Sequence, residues 1–337
     1  MADLHALHHH GDRELGGGLL DLAVNVYAGA RPPWLDAALR ASLDDVGAYP
    51  DPSAAEAALA AHHGRRQGEV LATAGAAEAF TLVARVRPWR RPVVVHPQFT
   101  EPHAALLHAG RDVTEVVLPH PFALDPERVP DDADLVVLGN PTNPTGVLHP
   151  AASIEALLRP GRLVVVDEAF MDCAPGEPES LVEHPDIVVI RSLTKHWGIP
   201  GVRAGYVVGP ADVLATMKAH RLPWSVSAQG AAAMLACATE QARAEAERRA
   251  HEIAGWRTYL EKRLAEVGVE HLPSAASFVL ARVGTGVHAA LRARGVAVRR
   301  ADTFPGLDGS WVRVAVRPED TTDQLVGVLS MLLDPTP

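Results

Sequence analysis

Four short runs of apolar residues punctuate the first two thirds of the chain: VVVHP at 93–97, DLVVLGNP at 134–141, RLVVVDEAF at 162–170 and DIVVIRS at 186–192. Each is too continuous for a strand with one wet face, and each is followed by a stretch with helical spacing. Strands covered on both faces by helices produce that pattern, which predicts a mostly parallel α/β sheet. Ligands gather at the carboxyl ends of the strands in such sheets. The residues that break the apolar runs lie at those ends: Phe99, the segment 140–146, Asp167, and the segment 192–195.

From about Ala211 the pattern becomes long and helical, and the stretch 231–268 carries Ala, Glu and Arg at helix-favouring density. A helix of that length is expected to bridge two lobes. Beyond it, SFVLARV (277–283), GVAVRR (295–300) and SWVRVAV (310–316) alternate with helical pieces and predict a smaller α+β lobe. The turn-rich segment 31–52 is expected to pack with that terminal lobe. The expected division is therefore 1–48, packing with the small domain, 49–240 as the large domain, and 241–337 as the small one.

Composition adds exclusions. With 47% hydrophobic and 21% charged residues in 337, the chain reads as an ordinary globular protein able to bury a large core. Its formal charge of −10 and scattered arginines argue against nucleic acid as a partner. Two cysteines, Cys173 and Cys237, lack metal-ligand spacing and fit a reducing, cytoplasmic setting without disulfides. No apolar run of membrane-spanning length occurs, so no membrane partner is expected. The tract His8, His9, His10 has no further ligands nearby in sequence, so it reads as solvated terminus and no metal site is predicted.

The candidate chemistry centres on SLTKHWGIPGVRAGY, residues 192–206. A lysine amine whose surroundings favour its neutral form attacks aldehydes, which is how pyridoxal phosphate is anchored in proteins. Lys195 alone is weak evidence, because most lysines are solvated. Partners for the rest of the cofactor are nevertheless present. Asp167 ends the apolar strand LVVVD, where a carboxylate is a costly guest unless it meets a cation such as a protonated ring nitrogen. Gly75, Ala76 and Ala77 open a helix after a strand and can offer backbone amides to a phosphate. Ser192, Thr194 and Arg203 flank Lys195 with hydroxyls and a guanidinium. Phe99 can stack on a ring, and Asn143 can donate its amide to a phenolic oxygen.

Together, Gly75 to Glu78, NPTNPTG (140–146), VVVDEAF and SLTKHWGIPGVRAGY resemble the fold-type I pyridoxal-phosphate aminotransferase family over nearly the whole chain. The resemblance implies a seven-stranded, mostly parallel α/β/α large domain and a small α+β domain built from both termini. It implies Lys195 as the covalent anchor, Asp167 at the ring nitrogen, Asn143 at the phenolic oxygen, Phe99 on the ring face, and a phosphate cup of Gly75, Ala76, Ala77, Ser192, Thr194 and Arg203. Tyr49 resembles a tyrosine that reaches the neighbouring active site of a homodimer. Arg313 resembles the arginine that holds the substrate α-carboxylate. Asn25 keeps the family's asparagine, while Arg299 and His10 resemble groups that hold a phosphate on the substrate.

Within the family, His10–Gly11, DEAF, SLTK followed by IPG, and FPGLDGSWVRVAV resemble the threonine-phosphate decarboxylase branch more than histidinol-phosphate aminotransferases. That implies decarboxylation of L-threonine O-3-phosphate to (R)-1-amino-2-propanol O-2-phosphate in cobalamin biosynthesis. The alternative is transamination of histidinol phosphate or another amino acid. Geometry selects between them, because the bond held perpendicular to the cofactor ring breaks most easily. Three positions depart from the branch: Tyr27 and Ala28 follow Asn25 in NVYA, and Asp12 puts a carboxylate beside the expected phosphate pocket. Phe170 lacks the hydroxyl that many aminotransferases direct at the phenolic oxygen.

Overall fold

The computed structural model describes residues 7–333. Among them are twelve strands: β1 (Leu20–Leu22), β2 (Val70–Thr73), β3 (Pro92–His96), β4 (Thr114–Val117), β5 (Leu135–Gly139), β6 (Leu163–Asp167), β7 (Ile187–Ser192), β8 (Gly205–Val208), β9 (Glu270–His271), β10 (Phe278–Arg282), β11 (Val296–Arg300) and β12 (Trp311–Ala315). Seven form one sheet in the order β2-β8-β7-β6-β5-β3-β4. All neighbours in it are parallel except β8, which runs antiparallel to both β2 and β7. The four apolar runs are β3, β5, β6 and β7, and every residue in these strands is buried. Their doubly covered burial is the reason they read as unbroken hydrophobic runs. The short β4, with alternating burial, and the antiparallel β8 carried no comparable pattern.

The second sheet has the order β1-β11-β12-β10-β9 and packs on the helices Glu240–Glu266 and Glu319–Leu333. Its core holds Phe278, Val298, Val314, Ile253 and Leu325. The helical stretch after Ala211 is three helices rather than one: Ala211–His220, Ala228–Cys237 and Glu240–Glu266. Pro223 lies in the first break, and side-chain caps open the next two helices. Ser227 accepts from the Gly230 amide at 3.0 Å and Thr239 from the Ala242 amide at 3.2 Å. The last helix does join the lobes, contributing Ala242 to the core beneath β8, and Ile253 and Leu260 to the core of the small sheet.

The amino-terminal segment divides between the lobes, contrary to the expectation that 31–52 packs with the terminal one. β1 pairs in parallel with β11, whereas the helix Pro33–Ala41 buries Leu35 against Leu59, Tyr206 and Met234 beside the large sheet. A short helix buries whichever apolar face matches the nearest open hydrophobic surface, and sequence pattern does not reveal which surface that is.

Candidate active site

β6 carries its chain into the interior and ends on Asp167, whose Oδ1 among the described residues accepts only from the Ala169 amide, at 3.1 Å. Burial raises this carboxyl to about 7, with the Ala169 hydrogen bond and the nearby Lys195 charge working against the rise. β7 ends on Ser192 and passes into a single helical turn, Leu193–His196, that projects Lys195 toward Asp167. Burial lowers the Lys195 amine to about 8, assisted by Arg313 and Arg203 and opposed by Asp167 and Asp12. The lysine is thus partly neutral near physiological pH.

Several of the residues expected to hold a phosphate lie near Lys195. Gly75 precedes the helix Ala76–Val83 with φ +78°, and a Cβ there would lie 2.5 Å from Arg203 Nη2. Arg203 itself is left-handed, with φ 57°, and donates to the Pro200 carbonyl at 3.1 Å. A Cβ on Gly205 would stand 2.8 Å from the Gly75 carbonyl carbon and 2.9 Å from the Ala76 nitrogen. Gly205 therefore permits a backbone approach that any side chain would block, and Gly75 takes a positive φ that a side chain would strain. Ser192 and Thr194 share a hydrogen bond of 2.8 Å between their hydroxyls.

The carboxylate-binding candidates meet in the small sheet's edge of the site. Arg313 on β12 is buried; its Nη1 donates to Asn143 Oδ1 at 2.6 Å and its Nη2 to the Ala23 carbonyl at 2.8 Å. The Asn25 amide, turned with its oxygen toward Arg313, accepts from Nη1 at 3.0 Å and Nε at 3.1 Å. Arg299 faces Arg313 across the β11–β12 register. Burial lowers Arg299 to about 10, and burial followed by the Arg299 charge puts Arg313 well below its ordinary value. Two adjacent buried guanidiniums without a full complement of carboxylates are a standing demand for anions.

Other expected residues take these positions. The Phe99 ring lies 5.5 Å from His10 and 6.0 Å from Phe80. His10 Nε2 is 2.6 Å from Glu101 Oε1. Arg299 Nη2 donates to the His9 carbonyl and, at 2.7 Å, to Thr303. Asp12 is exposed, and its charge reaches both Lys195 and Arg299; among the described residues it forms no ion pair with Arg13. Phe170 packs edge-on against Phe278, 4.9 Å between centroids. Tyr49 stands apart from this constellation within the protomer. It is 77% exposed and stacks on exposed Trp224 at 4.3 Å.

Two residues to which the sequence assigned no site role support the lysine from behind. The Tyr27 amide donates to the Lys195 carbonyl at 3.0 Å, and Arg249 Nη1 donates to the His196 carbonyl at 2.9 Å. The guanidinium also lies 4.2 Å from the Tyr27 ring centroid. Tyr27 was visible as a departure from the family pattern. Arg249 sits in a helix rich in Arg and Glu and offered no signal.

These residues fit pyridoxal phosphate: a buried carboxylate that among the described residues has no cationic hydrogen-bond partner, a lysine beside it whose amine is lowered to about 8, and a glycine-lined helix start next to a guanidinium. The chain matches the family described as Aminotransferase class I and II over residues 18–329. A histidinol-phosphate aminotransferase from Mycobacterium tuberculosis is 46% identical over 323 residues, covering 94% of this chain and 88% of that protein. A threonine-phosphate decarboxylase from Salmonella typhimurium is 30% identical over 343 residues, covering 94% and 91%. Among solved structures, a histidinol-phosphate aminotransferase from Sinorhizobium meliloti in complex with pyridoxal-5'-phosphate superimposes with a TM-score of 0.85 at 23% identity, covering 99% and 95%. No helix among the described residues is long and apolar enough to cross a membrane.

Proposed function

Because this chain belongs to the class I and II aminotransferase family and uses its cofactor, pyridoxal phosphate, we propose that it is an aminotransferase for a small phosphate-bearing amino compound of the histidinol-phosphate type. The observation that carries amino transfer above decarboxylation is the greater similarity to the mycobacterial aminotransferase across nearly the full chain. This reverses the order suggested by the short motifs alone.

When bound, the cofactor supplies an aldehyde that bonds an amine and a cationic ring that accepts the electron pair released at the substrate carbon. Lys195 would hold it and carry the proton to and from that carbon. Asp167 would keep a proton on the ring nitrogen. With Asn143 Oδ1 committed to Arg313, the asparagine NH2 is free to donate to the phenolic oxygen. Phe99 would cover the ring. The Gly75, Ala76 and Ala77 backbone, Ser192, Thr194 and Arg203 would hold the cofactor phosphate. Arg313, braced by Asn25 and Asn143, would fork onto the α-carboxylate of the amino-acid donor, such as glutamate. Arg299 and His10 would hold the substrate's own phosphate.

The test is a half-reaction. Glutamate added alone to the holoenzyme should remove the cofactor's visible absorbance and release one equivalent of 2-oxoglutarate, and histidinol phosphate should do the corresponding chemistry. The second reading, decarboxylation, is favoured by DEAF, by His10–Gly11 and by the Salmonella relative. If L-threonine O-3-phosphate releases CO2 without any oxo-acid acceptor, that reading replaces the first. Arg299→Ala should raise KM for phosphorylated substrates by about 10- to 100-fold, the worth of a charge-assisted pair, and leave phosphate-free donors nearly unaffected. Equal losses for both would remove Arg299 from the substrate pocket.

We further propose a homodimer in which Tyr49 completes the phosphate cup of the neighbouring site. Its support is the exposed Tyr49–Trp224 stack, with Leu222 also 70% exposed, an apolar patch of the kind that marks an interface.

A further inference from the structure

Residues 7–14 form a strap between the lobes. On the large-domain side Thr100 Oγ1 donates to the Leu7 carbonyl at 2.5 Å, and His8 and His10 both meet Glu101. On the small-domain side Arg299 donates to the His9 carbonyl, and Glu14 accepts from His9 at 2.9 Å and His288 at 3.1 Å. The strap lies against the carboxylate arginine: a Cβ on Gly11 would stand 3.2 Å from Arg313 Nη2.

We propose that His8, His10 and Glu101 bind a divalent transition-metal ion, Zn2+, which pins this strap across the mouth of the active site. His8 Nδ1 and His10 Nε2 approach the same Glu101 oxygen, at 3.4 and 2.6 Å, and the three donor atoms all lie within 4.8 Å of one another. Nitrogen and oxygen ligands around a tetrahedral Zn2+ stand roughly 3.3 Å apart. The His8–Glu101 spacing already has that value, and His10 needs to retreat by only about 0.7 Å. Two imidazoles and one carboxylate, with a position left for water, are a donor set that suits this ion.

The ligands are also held and reachable. The His8 ring stacks on His108 at 5.2 Å with planes 14° apart, and Glu101 begins the helix Glu101–His108. Side-chain exposures of 40% for His8, 34% for His10 and 23% for Glu101 let the ion enter from solvent without unfolding. Spacing alone could not reveal the site, because Glu101 is 91 residues from His10. The metal claim is independent of the reaction assigned above. Its consequence for catalysis rests on His10 as a phosphate ligand: an imidazole committed to the ion is withdrawn from the substrate.

The experiment is calorimetric titration of Zn2+ into metal-free holoenzyme, with Co2+ as a spectroscopic substitute. One ion per chain is expected, and His8→Ala and Glu101→Ala, altering the site from the strap and from the large domain, should each weaken binding at least about tenfold. Zn2+ should raise KM for the phosphorylated substrate in the wild type, reversibly with chelator, but not in His8→Ala, whose metal-free turnover should equal the wild type's. Undiminished binding by Glu101→Ala assigns the ion to the histidine tract alone and overturns the proposal, as does the absence of binding to the wild type.

Discussion

Lys195→Ala is expected to leave a folded protein whose turnover is at least about 10^4-fold lower, the upper range for a single positioned proton-transfer group. The loss should be this large because one amine serves two purposes: it bonds the cofactor and it carries the substrate proton. Lys195→Arg should not rescue, since a guanidinium stays charged and cannot attack an aldehyde. The fold should tolerate the change, because the neighbouring backbone is held by Tyr27 and Arg249 and not by the amine. The variant also tests the dimer. Mixed with Tyr49→Ala chains, which keep the lysine but lack the tyrosine, Lys195→Ala chains should restore activity if Tyr49 acts across the interface. Each mixed dimer would then contain one site with both residues intact. No recovery after subunit exchange would place Tyr49 outside the neighbour's site.

Asp167→Asn is expected to lower turnover by about 10^3-fold, or about 4 kcal/mol of transition-state stabilisation, because an amide cannot keep a proton on the ring nitrogen. In the apoprotein the same substitution should have the opposite effect on stability. The folded carboxyl titrates near 7, against 3.8 ordinarily, so between these values the folded chain holds a proton that the unfolded chain has released. The Asp167 contribution to apoprotein stability therefore falls as pH rises through this window, by at most about 4 kcal/mol. Lys195 acts in the next window. Its amine titrates near 8 when folded and at 10.5 ordinarily, so from 8 to 10.5 the unfolded chain holds the extra proton and its contribution rises with pH. Buried Asp172, raised to about 8, and the buried histidines His63, His96, His149 and His196, lowered to about 3 or 4, titrate over the same range, so the quantity to measure is the difference between variant and wild type at each pH. Urea denaturation of the two apoproteins should give nearly equal stabilities at pH 4 and an Asp167→Asn advantage that grows as pH rises to about 7. A difference that stays constant from pH 4 to 7.5 would mean that the Asp167 carboxyl does not titrate in this window.

The sequence by itself determined the parts of this protein whose signal is local. Strands buried on both faces must be almost wholly apolar, so β3, β5, β6 and β7 were legible, and a carboxylate ending β6 or a lysine following β7 stood out against them. Only the tertiary structure decided which distant groups meet. The β11–β12 register sets Arg299 beside Arg313, and the fold brings Asn25 and Asn143 from two other segments onto the same guanidinium. Arg249, 54 positions after Lys195, and Glu101, far from His8, carry no mark in their own neighbourhoods. The helix Pro33–Ala41 likewise found its partner surface in the large domain. Periodicity records how much of a residue is buried; it does not record against what, because contacts between segments depend on loop paths and sheet register that leave no repeating trace in the chain.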